Sequence, residues 1–113
     1  MSEIMVYMTA PDAETARRIG RTLVERRLAA CVNILPAVES MYWWDGAVQS
    51  EGEAAFVAKT RVELYESLQD CVLGMHPYEV PCIVALNIDR GHAPFLSWVG
   101  AQTEAPGGFE EMS

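Results

Sequence analysis

The chain has 113 residues, half of them hydrophobic and 21% charged, which describes one globular domain with no room for a second. Eight Lys and Arg against sixteen Asp and Glu give a net charge of −8, and that sign opposes nucleic acid and anionic membrane surfaces as partners. A domain this small buries only about 60–70% of its unfolded surface on folding, so association with further copies is a natural way to bury more.

Cys31, Cys71 and Cys82 are odd in number and widely spaced, which suggests neither a disulfide framework nor a zinc ribbon and fits a reducing compartment. The N-terminal stretch lacks a basic leader region, and no apolar run approaches the roughly 20 residues that span a bilayer. The expectation is a cytoplasmic protein.

From Ile4 to Thr9 the chain reads as a buried strand, stopped at Ala10-Pro11-Asp12, where proline and a capping carboxylate signal a helix. Ala16, Ile19, Gly20, Leu23 and Val24 then form an apolar stripe at helical spacing, predicting a helix to about Leu28. Arg17, Arg18, Arg21, Arg26 and Arg27 fall in this segment, and an exposed face balanced by Glu14 and Glu25 is the simplest reading of them.

Ala30 to Pro36 and Val38 to Trp44 lead into Asp45-Gly46, a pair suited to the positive φ angles of a two-residue hairpin turn. The return arm, Ala47 to about Thr60, places Gly52, Ala54, Phe56 and Ala58 on one face and Glu51, Glu53, Ala55, Val57 and Lys59 on the other. Arms of about 14 residues would reach ~45 Å if straight, against a diameter of ~35 Å for a domain of this length. The tip carrying Tyr42, Trp43 and Trp44 should therefore overhang and seek a neighbouring subunit.

Thr60-Arg61-Val62-Glu63 has capping-box spacing, and Leu64, Leu68, Cys71, Val72 and Met75 give a second helical stripe ending before Pro77. Pro81 to Ile88 is the most strand-like run, apolar enough to lie inside a sheet. Pro94 to Ala101 gives a short third helix, and residues 104–113 read as a flexible acidic tail after a single domain at 1–103. The order β-α-β-β-α-β-α is that of an α+β ferredoxin-like split βαβ sandwich, a fold that hosts many unrelated activities.

Six strings then carry a resemblance: Thr9-Ala10-Pro11-Asp12, Leu28-Ala29-Ala30-Cys31-Val32-Asn33, Tyr42-Trp43-Trp44-Asp45-Gly46, Lys59-Thr60, His76-Pro77-Tyr78-Glu79-Val80-Pro81 and Phe95-Leu96-Ser97-Trp98. In this order and spacing they resemble the CutA (CutA1) divalent-cation-tolerance proteins over about residues 4 to 103. The resemblance implies a stable cytoplasmic homotrimer whose long hairpins pair across subunits, similar in architecture to the PII signalling proteins. It also implies tolerance to copper and other divalent cations, and copper binding.

The copper ligands proposed in that family are a strand-one cysteine and a His-His pair before Pro-Tyr. Here those positions hold Met8, Met75 and His76. Thioethers suit Cu(I) better than harder divalent ions, although Met8 and Met75 also sit where methionine fills core space. His76, at a helix end before proline, suits a helix cap or a pocket.

Lys59, Tyr78, Glu79 and Trp98 are the polar and aromatic motif residues placed to line an intersubunit cleft for a small anion or metabolite. The Glu51/Glu53 pair reads either as a cation site or as a solvated face. No paired acid and base, nucleophile elbow or phosphate loop is present in the sequence, so a binding role is expected rather than an enzyme. Three functions follow: copper or divalent-metal binding in tolerance and homeostasis, a PII-like sensor, or a trimeric scaffold for partner proteins.

Overall fold

The computed structural model describes residues 2–104; the expected acidic tail, apart from Glu104, lies outside the described residues. Strand β1 (Glu3–Ala10), helix α1 (Ala13–Glu25), strands β2 (Cys31–Trp44) and β3 (Ala47–Arg61), helix α2 (Tyr65–Met75), strand β4 (Ile83–Asn87) and helix α3 (Ala93–Gln102) follow in order. The antiparallel sheet runs β2-β3-β1-β4. This is the α+β ferredoxin-like arrangement that the element order predicts.

Each boundary has a local cause. Asp12 caps α1 by accepting the Thr15 N–H at 2.8 Å. The helix ends three residues earlier than the apolar stripe suggests, because Arg27 adopts φ 60° and Leu28 N–H returns to the Leu23 carbonyl at 2.9 Å. That closing bond, with Arg27 N–H on the Val24 carbonyl, is a Schellman stop built on arginine where glycine is usual. Gly20 lets α1 approach β2, since a Cβ there would meet Val32 Cγ1 at 3.0 Å.

Asp45 and Gly46 take φ 56° and 78°, so the hairpin turns as its sequence requires. The register slips between Leu35 and Val38, giving a bulge at Pro36-Ala37 where proline removes a ladder donor. Even so, the hairpin overhangs: the long axis is 49 Å and the radius of gyration 15.1 Å, against about 13 Å for a compact domain of this length.

Two expectations are corrected. Thr60 does not cap a helix; it lies in β3 with its hydroxyl buried and unpartnered among the described residues, and a 3-10 turn at Val62–Leu64 intervenes before α2. The apolar run at Pro81 to Ile88 does not lie inside the sheet. It supplies β4, an edge strand paired only to β1, with Val84 and Leu86 exposed.

The core lies between α1 and α2 and one sheet face, where Ile4, Val6, Met8, Ala54, Phe56 and Ala58 meet Ala16, Ile19, Leu23, Leu68 and Val72. Of the alternate residues on the other face, Tyr7, Leu35, Val84 and Leu86 are exposed. Helix α3 is fastened by Arg61, whose guanidinium donates to Thr103 Oγ1 at 2.9 Å and to its carbonyl at 2.8 Å. Among the described residues, no helix is long and apolar enough to cross a membrane.

Candidate functional site

The sheet face opposite α1 and α2 holds a cleft of about 590 Å³ at the base of the hairpin. Strand parity builds its floor. Val38 pairs with Glu53, Ser40 with Glu51 and Tyr42 with Gln49, so Ser40, Tyr42, Trp44, Glu51 and Glu53 share one face and line the cleft with Tyr7 and Thr9. The segment after α2 closes it with Tyr78, Glu79, Val80 and Cys82.

Three carboxylates, Glu51, Glu53 and Glu79, line this cleft, and no Lys, Arg or His does. Glu53 is only 8% exposed and has no ion-pair partner among the described residues, an unusual place for a carboxylate. Its Oε2 accepts the Tyr78 hydroxyl at 2.6 Å, while Tyr42 donates to Glu51 Oε1 at 2.8 Å. Burial and the adjacent Glu53 carboxylate push the Tyr78 phenol well above its ordinary range. Burial, with the Glu53 charge adding to it, raises the Cys82 thiol as well.

The cleft brings together only some of the expected site residues. Tyr78 and Glu79 line it. Lys59 lies six residues from Glu53 along β3, about 20 Å away, where it pairs with Asn33 through its ammonium. Trp98 sits on α3 against Phe95, ring centroids 5.7 Å apart, and does not line the cleft. Of the hairpin-tip aromatics, Tyr42 and Trp44 face the cleft, and Trp43 projects from the opposite side, 74% exposed.

His76 is nearly buried and spends both ring nitrogens on backbone. Nε2 donates to the Thr9 carbonyl at 2.7 Å, and Nδ1 accepts the Tyr78 N–H at 3.1 Å. Met8 is wholly buried in the core, and Met75 packs against its edge. As arranged, Met8, Met75 and His76 offer a metal no free imidazole nitrogen. Nor does any group of three or more His, Cys, Asp or Glu converge for a metal among the described residues.

Tyr7 and Thr9 line the cleft without being singled out by the sequence as site residues; the sequence reads Glu53, with Glu51, as either a cation site or a solvated face. The signal for Glu53 was its parity with Ala55 and Val57, which puts it on the sheet face proper rather than on a solvated margin. Its burial comes from Tyr78, which no local pattern places beside it.

The fold and cleft define a small ferredoxin-like domain with an acidic, aromatic recess on the sheet face opposite α1 and α2. Residues 4–102 match the family of CutA1 divalent ion tolerance proteins. The divalent-cation tolerance protein CutA of Archaeoglobus fulgidus is 44% identical over 99 residues, which cover 88% of this chain and 96% of that protein. Its solved structure, described as a periplasmic divalent cation tolerance protein, matches at a TM-score of 0.88 with 42% identity, covering 90% of this chain and 99% of that one. Protein CutA of Homo sapiens is 40% identical over 99 residues, 88% of this chain but 55% of its own length, so the chain spans little more than half of the human protein. The chain belongs to the CutA1 divalent ion tolerance family.

Proposed function

We propose that the protein serves divalent-cation tolerance by binding rather than by catalysis, and that it takes its cation in the acidic cleft. The observation that carries this reading is Glu53: a nine-tenths-buried carboxylate in a recess whose charged lining residues are all anionic. A cation entering there gains attraction in a partly desolvated site. An anionic metabolite would meet three carboxylates and no positive charge, so the PII-like sensor reading is not favoured at this cleft.

Copper, the metal the resemblance implies, ranks behind this at Met8, Met75 and His76. It would have to displace the Tyr78 N–H from His76 Nδ1 and draw Met8 out of the core, and only soft Cu(I) favours thioether ligands. The working form is a homotrimer, supported by the exposed apolar sheet face and overhanging hairpin. A cytoplasmic setting fits three cysteines that are all free.

Equilibrium dialysis against Cu(II), Zn(II) and Mn(II), with wild type and Glu53→Gln, tests the reading. Binding that weakens at least tenfold in Glu53→Gln supports it. Binding that survives Glu53→Gln but is lost in His76→Ala transfers the site to the copper set.

A further inference from the structure

We propose that the acidic segment Phe109-Glu110-Glu111, beyond the described residues, docks on the exposed arginine face of α1 in its own subunit. Helix α1 covers the core side of the sheet, opposite the sheet face assigned above to the subunit interface, so an assembly built through that interface leaves the arginines accessible.

The charge distribution is the first observation. The chain carries a net charge of −8, yet five of its eight basic residues, Arg17, Arg18, Arg21, Arg26 and Arg27, fall in α1 or directly after it. All five are exposed. Glu14 and Glu25 do not balance them: among the described residues only Arg21 meets a carboxylate, that of Glu25 at 3.0 Å. Arg27 is spent on the end of α3, and Arg26 faces Cys71 Sγ at 3.6 Å. Arg17 and Arg18 have no carboxylate within ion-pairing distance among the described residues.

The second observation is where the chain leaves α3. Arg27 donates to the Gln102 carbonyl at 3.0 Å, which fastens the end of α3 to the end of α1, and Arg61 holds Thr103. The residues after Glu104 therefore set out from the C-terminal end of the arginine face. Gln102 to Glu111 is a reach of up to ~30 Å, whereas Arg26 to Arg17 spans only ~14 Å of helix.

The third is complementarity in order. Residues 104–113 hold Glu104, Glu110 and Glu111 and no Lys or Arg. Arg17, Arg21 and Val24, at i, i+4 and i+7, share one ridge of α1, and Val24 is exposed. A segment running from the C-terminal end of α1 toward its start meets Val24 first, then Arg21, then Arg18 and Arg17. Phe109, Glu110 and Glu111 arrive in that order, apolar before acidic, and Pro106-Gly107-Gly108 supplies turn chemistry ahead of them. Single exposed ion pairs contribute little, but several on a short tether act at an effective concentration of about millimolar. A free acidic partner lacks the tether and meets a chain of its own sign.

The test is arginine footprinting of the intact, assembled protein with phenylglyoxal, read residue by residue by peptide mass spectrometry, with wild type against the double variant Glu110→Gln/Glu111→Gln. Arg17, Arg18 and Arg21 should react at least threefold faster in the variant, while Arg90, 94% exposed on the loop between β4 and α3, keeps its rate. Salt at about 0.5 M should accelerate Arg17 and Arg18 in wild type in the same way. Phe109→Ala should give a smaller increase, and all three substituted positions lie outside the described fold. Equal rates in wild type and double variant overturn the proposal. Equal rates that added polyglutamate slows also overturn it, assigning the face to an external acidic partner. Protection that fades as the protein is diluted overturns it in favour of the segment of another copy.

Discussion

His76 Nε2 donates to the carbonyl of Thr9 across 2.7 Å, joining the end of α2 to the end of β1, sixty-seven positions away in the chain. Because a carbonyl only accepts, the ring hydrogen sits on Nε2, and Nδ1 is left to accept the Tyr78 N–H. The ring thus also fixes the direction in which Tyr78 leaves the helix toward Glu53. His76→Ala should destabilise the protein by about 2–3 kcal/mol by orphaning two buried backbone groups. Denaturant titration with and without a chelator checks this; a loss of stability that appears only when metal is present would contradict the structural role.

Thr60 gives a prediction of opposite sign. Its Oγ1 is fully buried with no partner among the described residues, and a buried unpaired hydroxyl costs about 1–3 kcal/mol. Thr60→Val keeps the shape and removes the polar atom, so unfolding free energy should rise by about 1 kcal/mol. A lower denaturation midpoint for Thr60→Val would refute the account.

The Tyr78–Glu53 contact sets behaviour in alkali. The Tyr78 phenol is raised above its ordinary value of 10.0 by burial first and by Glu53 second, so the folded state holds this proton when the unfolded chain has released its own. The associated stability is full below pH 10 and is lost as pH rises beyond it. Absorbance titration of the four tyrosines should show a late-ionising component that Tyr78→Phe deletes. A second late component should persist, since the hydrogen bond to Glu51 raises Tyr42 too.

Asp12 acts at the other end of the scale. Its carboxyl is held below 3.8, chiefly by the Thr15 backbone N–H. A depressed folded value means stabilisation present above about pH 4 and lost as pH falls through the folded value. Asp12→Asn keeps the cap without the charge, so its thermal midpoint should fall less steeply than wild type between pH 4 and pH 2.

What could be read from the sequence was whatever local chemistry dictates. Asp45-Gly46 demanded a hairpin turn, the alternation from Gly52 to Ala58 put Phe56 inward, and the element order gave the split βαβ plan. Arg27 escaped because its left-handed backbone lets α1 stop without the glycine that would announce it. Pro81 to Ile88 misled for a different reason: an apolar run does not distinguish a strand buried in its own subunit from an edge strand with two exposed faces. The cleft was half legible, with Tyr78 and Glu79 inside it and Lys59 and Trp98 elsewhere in the protomer. The choice between a cation site and a solvated face for Glu51/Glu53 could not be made locally, because Tyr78 reaches and buries Glu53 only after α2 has packed and His76 has turned the chain.

The misread edge strand carries the last prediction. Val84 and Leu86 stand exposed on β4 beside Tyr7 and Met5 of β1, so an apolar strip crosses the sheet face opposite α1 and α2 and ends at an edge with unpaired backbone groups. At the far end of the molecule Trp43 projects from the hairpin. A trimer that meets through the sheet face buries Leu86, worth about 1.5–3 kcal/mol per subunit as apolar area alone, and a charge placed there costs more. Leu86→Glu should therefore shift native mass spectra from the proposed trimer toward monomer at micromolar concentration, while leaving the circular dichroism of the folded protomer in place. Trp43→Glu separates the two modes of association. If the hairpin tips alone hold the copies together, Trp43→Glu dissociates the trimer and Leu86→Glu does not; if the sheet face holds them, Leu86→Glu has the larger effect.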